Sequence, residues 1–192
     1  MTEQRKLAAV SGRCLQTAGY VLAPTNFTRV FDALNAAGVR YVVVGGLATV
    51  LHGLDRLTAD IDLVVDLEPD NARRAVEALL ASGFRAGAPV DPRDFADPAR
   101  RREWIEREGL RVFSFWDASG NSPTVDLFAE LPLPFEGLWE RARDVELPDG
   151  RCHLASLEDL IALKEATGRD ADREDARRLR EIRKGMDHDP KP

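Results

Sequence analysis

GGLATVLHGLDRLTADIDLVV, residues 45–65, is the stretch on which the fold turns. It follows YVVV (41–44), a short β-branched run stopped by two glycines, the pattern of a buried strand ending in a tight turn. LATVLHG then predicts a short helix closed by Gly53, and IDLVVDL a second strand. Side chains alternate across a strand, so Ile61, Leu63 and Val65 point toward a core, while Asp60 and Asp62 share the other face with Val64 and Asp66 further along. Adjacent carboxylates repel each other unless a cation or a proton lies between them, which makes the pair a candidate site for a divalent ion. Oxygen ligands favour Mg2+ or Mn2+, with phosphates and water completing the shell.

A third candidate lies in PTVDLF (123–128), where Val125 and Leu127 face one side and Asp126 the other, flanked by Thr124 and Phe128. If this strand lies beside the first pair, Asp126 joins the cluster and two ions become possible. Such ions, about 3.5–4 Å apart, clamp the attacking and leaving oxygens of phosphoryl or nucleotidyl transfer. Gly45 and Gly46 then acquire a purpose, because glycines between a strand and a helix let the backbone approach a phosphate closely. DxD pairs also occur in aspartate-nucleophile phosphatases and sugar-nucleotide glycosyltransferases, but there they follow an apolar strand. Here the pair opens the strand, which counts against both.

Outward from this centre, TNFTRVFDALNAAG (25–38) predicts a helix capped by Thr25 or Asn26, with Phe27, Val30, Phe31 and Leu34 at helical spacing and Gly38 as its stop. DNARRAVEALLASG after Pro69 predicts another. Residues 84–108 read as a strand, a proline-punctuated loop and a charged helix carrying Trp104. LRVFSFWD and PTVDLFAEL predict an antiparallel hairpin across ASGNS, PFEGLWERARD a helical segment, and VELPDGRCHL a small hairpin. From Ser156 the chain is strongly helical. Ser156 and Asp159 resemble a capping box, and Leu157, Leu160 and Ile161 mark the buried face. Strands mixed with helices, one hairpin included, point to an α/β or α+β sheet flanked by helices, with a C-terminal helical portion.

Composition bounds the function. The 192 residues are 44% hydrophobic and 31% charged, with a formal net charge of −6, which disfavours broad nucleic-acid binding. No apolar run approaches the roughly 20 residues of a membrane helix. MTEQRKLAAVSGRC lacks the apolar stretch of a secretory signal, and Cys14 and Cys152 stand alone, so a reducing cytoplasm is expected.

The motifs together carry a resemblance. GG, an intervening helix, DxD opening a strand and a later single Asp on a neighbouring strand resemble the polymerase-β-like nucleotidyltransferase superfamily. The string His52-Gly53, Arg56, Thr58, Asp60-Ile61-Asp62 is similar to that of the minimal bacterial nucleotidyltransferases of the AbiEii toxin type, and LASLEDLIALKEATGRDADREDARRL (154–179) resembles their helical segment. The resemblance spans residues 26–183, and residues 84–111 match nothing in it.

It implies a mixed nucleotidyltransferase sheet flanked by helices, with a catalytic domain over 26–155 and a packed helical segment over 156–186; outside it the residues themselves read as a helical leader over 1–25 and a frayed tail over 187–192. Gly45 and Gly46 would hold the triphosphate of an NTP such as ATP. Asp60, Asp62 and Asp126 would bind two Mg2+ (Mn2+ as a substitute), Asp126 also helping to activate the acceptor hydroxyl. Arg56, Thr58 and Lys164 join them as nucleotide-binding candidates, Lys164 because it falls on the buried face of its helix and either snorkels out or points at a phosphate. The acceptor stays open among tRNA, a protein side chain and a small molecule, and a cognate antitoxin is a possible partner. The alternative is a catalytically silent NTP-binding module acting through a protein partner. Arg169, Asp172 and Asp175 read as helix-start contacts and a solvated face, with a role in catalysis as the alternative, and His52 as structural. Trp104, Trp116 and Trp139 read as core or groove aromatics, though one could stack on a nucleobase.

Overall fold

The computed structural model describes residues 24–187 except Asn121, Pro148 and Asp149, with side chains from Phe27 to Gly185. The leader expected over 1–25 therefore lies outside the described residues but for Pro24 and Thr25, as do Cys14 and the tail expected beyond Asp187.

Among the described residues seven strands form one mixed sheet. They are β1 (Tyr41–Val44), β2 (Asp60–Val65), β3 (Phe84–Ala86), β4 (Val112–Asp117), β5 (Thr124–Phe128), β6 (Arg143–Leu147) and β7 (Gly150–Leu154), in the order β3-β4-β5-β2-β1-β7-β6. β2 runs parallel to β5 and β1 to β7; the other neighbouring pairs are antiparallel. Both expected hairpins are present, as β4–β5 and β6–β7.

The helices are α1 (Pro24–Ala36), α2 (Gly45–Leu51), α3 (Pro69–Ala81), α4 (Pro98–Glu103), α5 (Phe135–Arg141), α6 (Leu157–Thr167) and α7 (Asp170–Asp187). A 3-10 turn at Pro92–Ala96 precedes α4 and a π turn at Trp104–Glu108 follows it. Glu68 caps α3 by accepting from the Asp70 and Asn71 amides, and Pro69 fills the first turn, where no N–H is needed. Gly168, at φ +70, separates α6 from α7.

Alternation divides the sheet into two unlike faces. On one, Tyr41, Val43, Ile61, Leu63, Val65, Phe113, Phe115, Val125 and Leu127 meet the apolar sides of α1 and α3, with Phe95 and Trp104 completing the packing. The other face is covered only in part: Val42, Val44 and Val64 lie under Phe135 and Leu138 of α5, with Ala155. Beyond that cap lie Asp60, Asp62, Asp126, Ser114 and Trp116, so the polar residues occupy the part of the face that α5 leaves open.

Some local expectations shift. The described part of α1, Pro24–Ala36, already takes in Thr25 and Asn26 as helical residues. α2 begins at the glycines themselves and not after them. The segment PFEGLWERARD leaves the helix at Ala142, since Arg143 and Asp144 are drawn into the β6–β7 ladder. The capping box at α6 is one-sided: Ser156 accepts from the Asp159 amide, but the Asp159 carboxylate turns to the Ser156 hydroxyl and to Arg141.

Candidate active site

The three aspartates come together through strand register. Asp62 and Asp126 are direct partners across the parallel β2–β5 pair, and Asp60 is the partner of Thr124. Neighbouring strands stand about 4.8 Å apart, so Asp62 and Asp126 are side by side on the open face, and Asp60 lies two residues along. Asp60 is exposed, whereas Asp62 and Asp126 are half-buried. Burial raises the Asp62 pKa above its ordinary value; the Gly46 amide opposes that, and Asp126 and Asp60 push it further up. Burial likewise raises Asp126, with Ser114 pulling down and Asp60 pushing up. The Asp126 Oδ1 atom is buried with no hydrogen-bond partner.

An unpaired buried carboxylate oxygen beside two further carboxylates is a donor set suited to a hard divalent cation. Among the described residues no three His, Cys, Asp or Glu side chains converge into a ready-made ion cage, so an ion here would also need substrate oxygens or water to complete its shell. The residues fit Mg2+ on those terms.

The glycine turn is built around Asp62. Gly45 has φ +64, a conformation that side chains disfavour, and a Cβ there would stand 1.9 Å from Asp62 Oδ2. The Gly46 amide donates to that same oxygen at 3.2 Å. A Cβ on Gly46 would stand 2.5 Å from Thr58 Oγ1, with Arg56 Nη2 3.8 Å from it. Gly45, Gly46, Thr58, Arg56 and Asp62 therefore surround one small volume, and the glycines are required by the close approach of Asp62 and Thr58. The Gly46 amide expected to face a phosphate faces a carboxylate in this state.

Of the two readings of Lys164, the snorkelling one fails. The side chain neither snorkels to solvent nor stands free: it is buried, and its Nζ donates to Asp172 Oδ1 at 2.7 Å and Asp175 Oδ2 at 2.8 Å. Asp175 Oδ2 also receives Arg56 Nη1. Asp172 and Asp175 are thus not part of a solvated face but the anchors of two cations beside the carboxylate row, close enough that Lys164 lowers the Asp62 pKa. Burial would raise the Asp172 carboxyl, yet bonds from Lys164 and Thr167 outweigh it and hold its pKa below the ordinary value. Only Arg169, exposed on its side chain, matches the solvated reading. Asp175 was missed because its partners lie 11 and 119 positions away, and only the α6–α7 turn at Gly168 folds one of them back. The available signal was local: Asp172 and Asp175 share a face of α7 with buried Ala176 and Leu179.

His52 is structural, its Nε2–H donating to the Ala155 carbonyl at 2.9 Å, with burial lowering its pKa. His153 meets Asp144 at 2.8 Å and the Trp139 ring at 4.1 Å. Trp104 is core, whereas Trp116 is 45% exposed on the open face. Ser114, the β4 partner of Asp126, is a neighbour of the site that sequence reasoning did not single out.

No helix of the described residues is long and apolar enough to cross a membrane. Among the curated proteins none matches the chain. A solved structure similar to it is that of the lincosamide antibiotic adenylyltransferase LnuA with lincomycin bound, at 16% identity and a TM-score of 0.52, covering 79% of this chain and 92% of that one. At that identity the likeness shows the fold, a mixed α/β sheet resembling a nucleotidyltransferase. The model of the family described as nucleotidyl transferase AbiEii toxin, type IV toxin–antitoxin system, matches residues 30–182. That span takes in the glycine turn, all three aspartates and the Lys164–Asp175 pair, and the chain belongs to the AbiEii family of nucleotidyltransferase toxins.

Proposed function

We propose that the protein moves an NMP unit from an NTP to an acceptor hydroxyl, releasing pyrophosphate, and does so as the toxin of a pair held in check by a cognate antitoxin. The observation that carries the chemistry is the register pairing of Asp62 with Asp126 beside the glycine turn. The acceptor oxygen forms a bond to the α-phosphorus, the α–β bridging bond breaks, and the hydroxyl proton passes to the Asp126 carboxylate. Arg56 and Lys164, held in place by Asp175, supply positive charge toward the β- and γ-phosphates, with Gly45, Gly46 and Thr58 shaping their seat. Bound by Asp60, Asp62 and Asp126, two Mg2+ or Mn2+ ions supply neutralisation of the charge that develops on the phosphates.

Replacing Asp62 by Asn removes a charged ligand without changing its shape. Transfer of label from α-labelled NTP into lysate components is expected to fall roughly a thousandfold, about 4 kcal/mol in barrier, while the circular dichroism spectrum is kept. Undiminished transfer by a folded Asp62→Asn protein would sink the assignment.

The alternative, an NTP-binding module that turns nothing over, draws on one observation: Arg56, Lys164 and the Gly46 amide already have carboxylate partners. Calorimetry showing Mg–NTP binding with no pyrophosphate release in the presence of lysate would favour it.

A further inference from the structure

Trp116 has no role in the reaction as described, yet it stands on the face that carries the carboxylates. Within β4, Phe113 and Phe115 enter the core, which turns Ser114 and Trp116 to the opposite side. Ser114 is the partner of Asp126, and continuing that register brings Trp116 opposite Thr124, itself the partner of Asp60. On the other side Trp116 is the partner of Arg85. Arg85, Trp116, Thr124 and Asp60 thus form one row across β3, β4, β5 and β2. At about 4.8 Å per strand, the Trp116 backbone lies about 10 Å from that of Asp60, and Arg85 about 14 Å.

Trp116 is 45% exposed, and among the described residues only Leu57 is a comparably exposed large apolar side chain. Arg85 is exposed and has no ion-pair partner among the described residues. The backbone beneath the indole is held firmly: the next residue, Asp117, is buried and accepts from the Ser119 amide at 3.0 Å and hydroxyl at 2.6 Å. A rigidly mounted open indole with an unpaired guanidinium beside it suits a planar ring that carries an anion.

Position selects which substrate this is. The phosphate seat of Gly45, Gly46, Arg56 and Lys164 lies on the β1 side of the carboxylates, and Trp116 lies on the β4 side. We propose that Trp116 and Arg85 form the acceptor platform: the base of a nucleotide unit stacks on the Trp116 ring and its phosphate pairs with Arg85, which brings the unit's hydroxyl toward Asp126. This rests on the nucleotidyl-transfer reading. A free mononucleotide and the end of a nucleotide strand share this chemistry.

The test measures binding of AMP and of a fluorescent six-nucleotide single-stranded RNA, alongside Mg2+ with a non-hydrolysable ATP analogue. The wild type is compared with Trp116→Ala, Trp116→Phe and Arg85→Gln. Trp116→Ala is expected to weaken AMP or RNA binding ~10-fold or more, and Trp116→Phe to recover most of the loss, because base stacking needs a ring and not this ring. Arg85→Gln is expected to lower the salt dependence of RNA binding by about one ion. The ATP analogue should bind all four proteins alike. Both side chains are exposed, so the variants should melt within a few degrees of the wild type.

RNA binding well above AMP binding identifies a strand end as the source, and equal affinity a free nucleotide; either supports the platform. Three results overturn it: a wild type that binds the ATP analogue but neither AMP nor RNA, substitutions that leave that binding unchanged, or a Trp116→Ala loss for the ATP analogue as large as for the acceptor. Absence of ATP-analogue binding in the wild type removes the nucleotidyl-transfer reading and the platform with it.

Discussion

Two aspartates of the same β-hairpin, Asp117 at the end of β4 and Asp126 in the middle of β5, have opposite environments. Asp117 is buried and fully engaged: Ser119 donates its hydroxyl and its amide, Arg29 stands 3.9 Å away, and the carboxyl pKa is held down to about 2, chiefly by the Ser119 bonds. Asp126 keeps one buried oxygen without a partner and has its pKa raised by burial. A buried polar atom left unpaired is unfavourable unless something outside the chain completes it. The contrast separates a carboxylate that the fold satisfies from one that it leaves unsatisfied, as the proposed ion-binding role of Asp126 requires.

The strongest way to break this comparison is to exchange each carboxylate for its amide. Asp126→Asn should lower nucleotidyl transfer by roughly a thousandfold, while the melting temperature in metal-free buffer stays level or rises because a buried like charge is gone. Asp117→Asn should do the reverse, lowering the melting temperature by a few degrees while the folded fraction remains active. If the Asp126→Asn protein instead melts well below the Asp117→Asn protein, the assignment of roles is wrong.

A smaller effect is expected at the glycine turn that packs around Asp62. Gly45→Ala combines a φ of +64 with a Cβ placed 1.9 Å from Asp62 Oδ2. Backbone strain of about 1–3 kcal/mol should appear in urea unfolding. Displacement of Asp62 should lower kcat more than it raises KM for the NTP. Unchanged stability and kinetics would mean that the turn is not built around Asp62.

The smallest effect is in pH dependence, where the two kinds of carboxylate have opposite signs. The Asp117 pKa is depressed from 3.8 to about 2, so its stabilisation is present above the unfolded value and is lost as pH falls toward about 2. Asp62 and Asp126 are raised, so they oppose folding at neutral pH, and that opposition is relieved as pH falls through their folded pKa values toward the unfolded one. Melting temperature in metal-free buffer should therefore rise slightly below neutrality and then drop below about pH 4. Asp117→Asn should weaken the drop and Asp126→Asn the rise; a monotonic profile in all three proteins would contradict the paired assignment.

Much of this arrangement was legible in residue order. β-branched runs ended by glycine marked β1, the apolar alternation Ile61, Leu63, Val65 set the faces of β2, and the alternation Val125, Asp126, Leu127 set those of β5. Gly45 and Gly46 were recognisable as a turn with a purpose, although their immediate neighbour proved to be Asp62 itself. Lys164 was visible as a lysine on a buried face, but its partners were not. Asp172 and Asp175 looked solvated because i, i+3 spacing on an acidic helix is the ordinary pattern of a surface, and only the apolar Ala176 and Leu179 on the same face mark the side that turns inward. Trp116 could not be told from Trp104 in sequence, since both sit near charged residues; only the first points away from the core.

The sequence by itself determined which elements form and which side chains share a face, because helical and strand periodicities are local properties of the backbone. It also determined that Asp60, Asp62 and Asp126 are placed to meet if their strands do. Only the tertiary structure decided that β2 and β5 lie side by side with Asp62 opposite Asp126, that α5 covers one half of that face and leaves the other open, and that Asp175 joins Arg56 to Lys164. Those are long-range pairings, set by how the hydrophobic faces of distant segments pack, and no local pattern encodes the neighbour across a sheet.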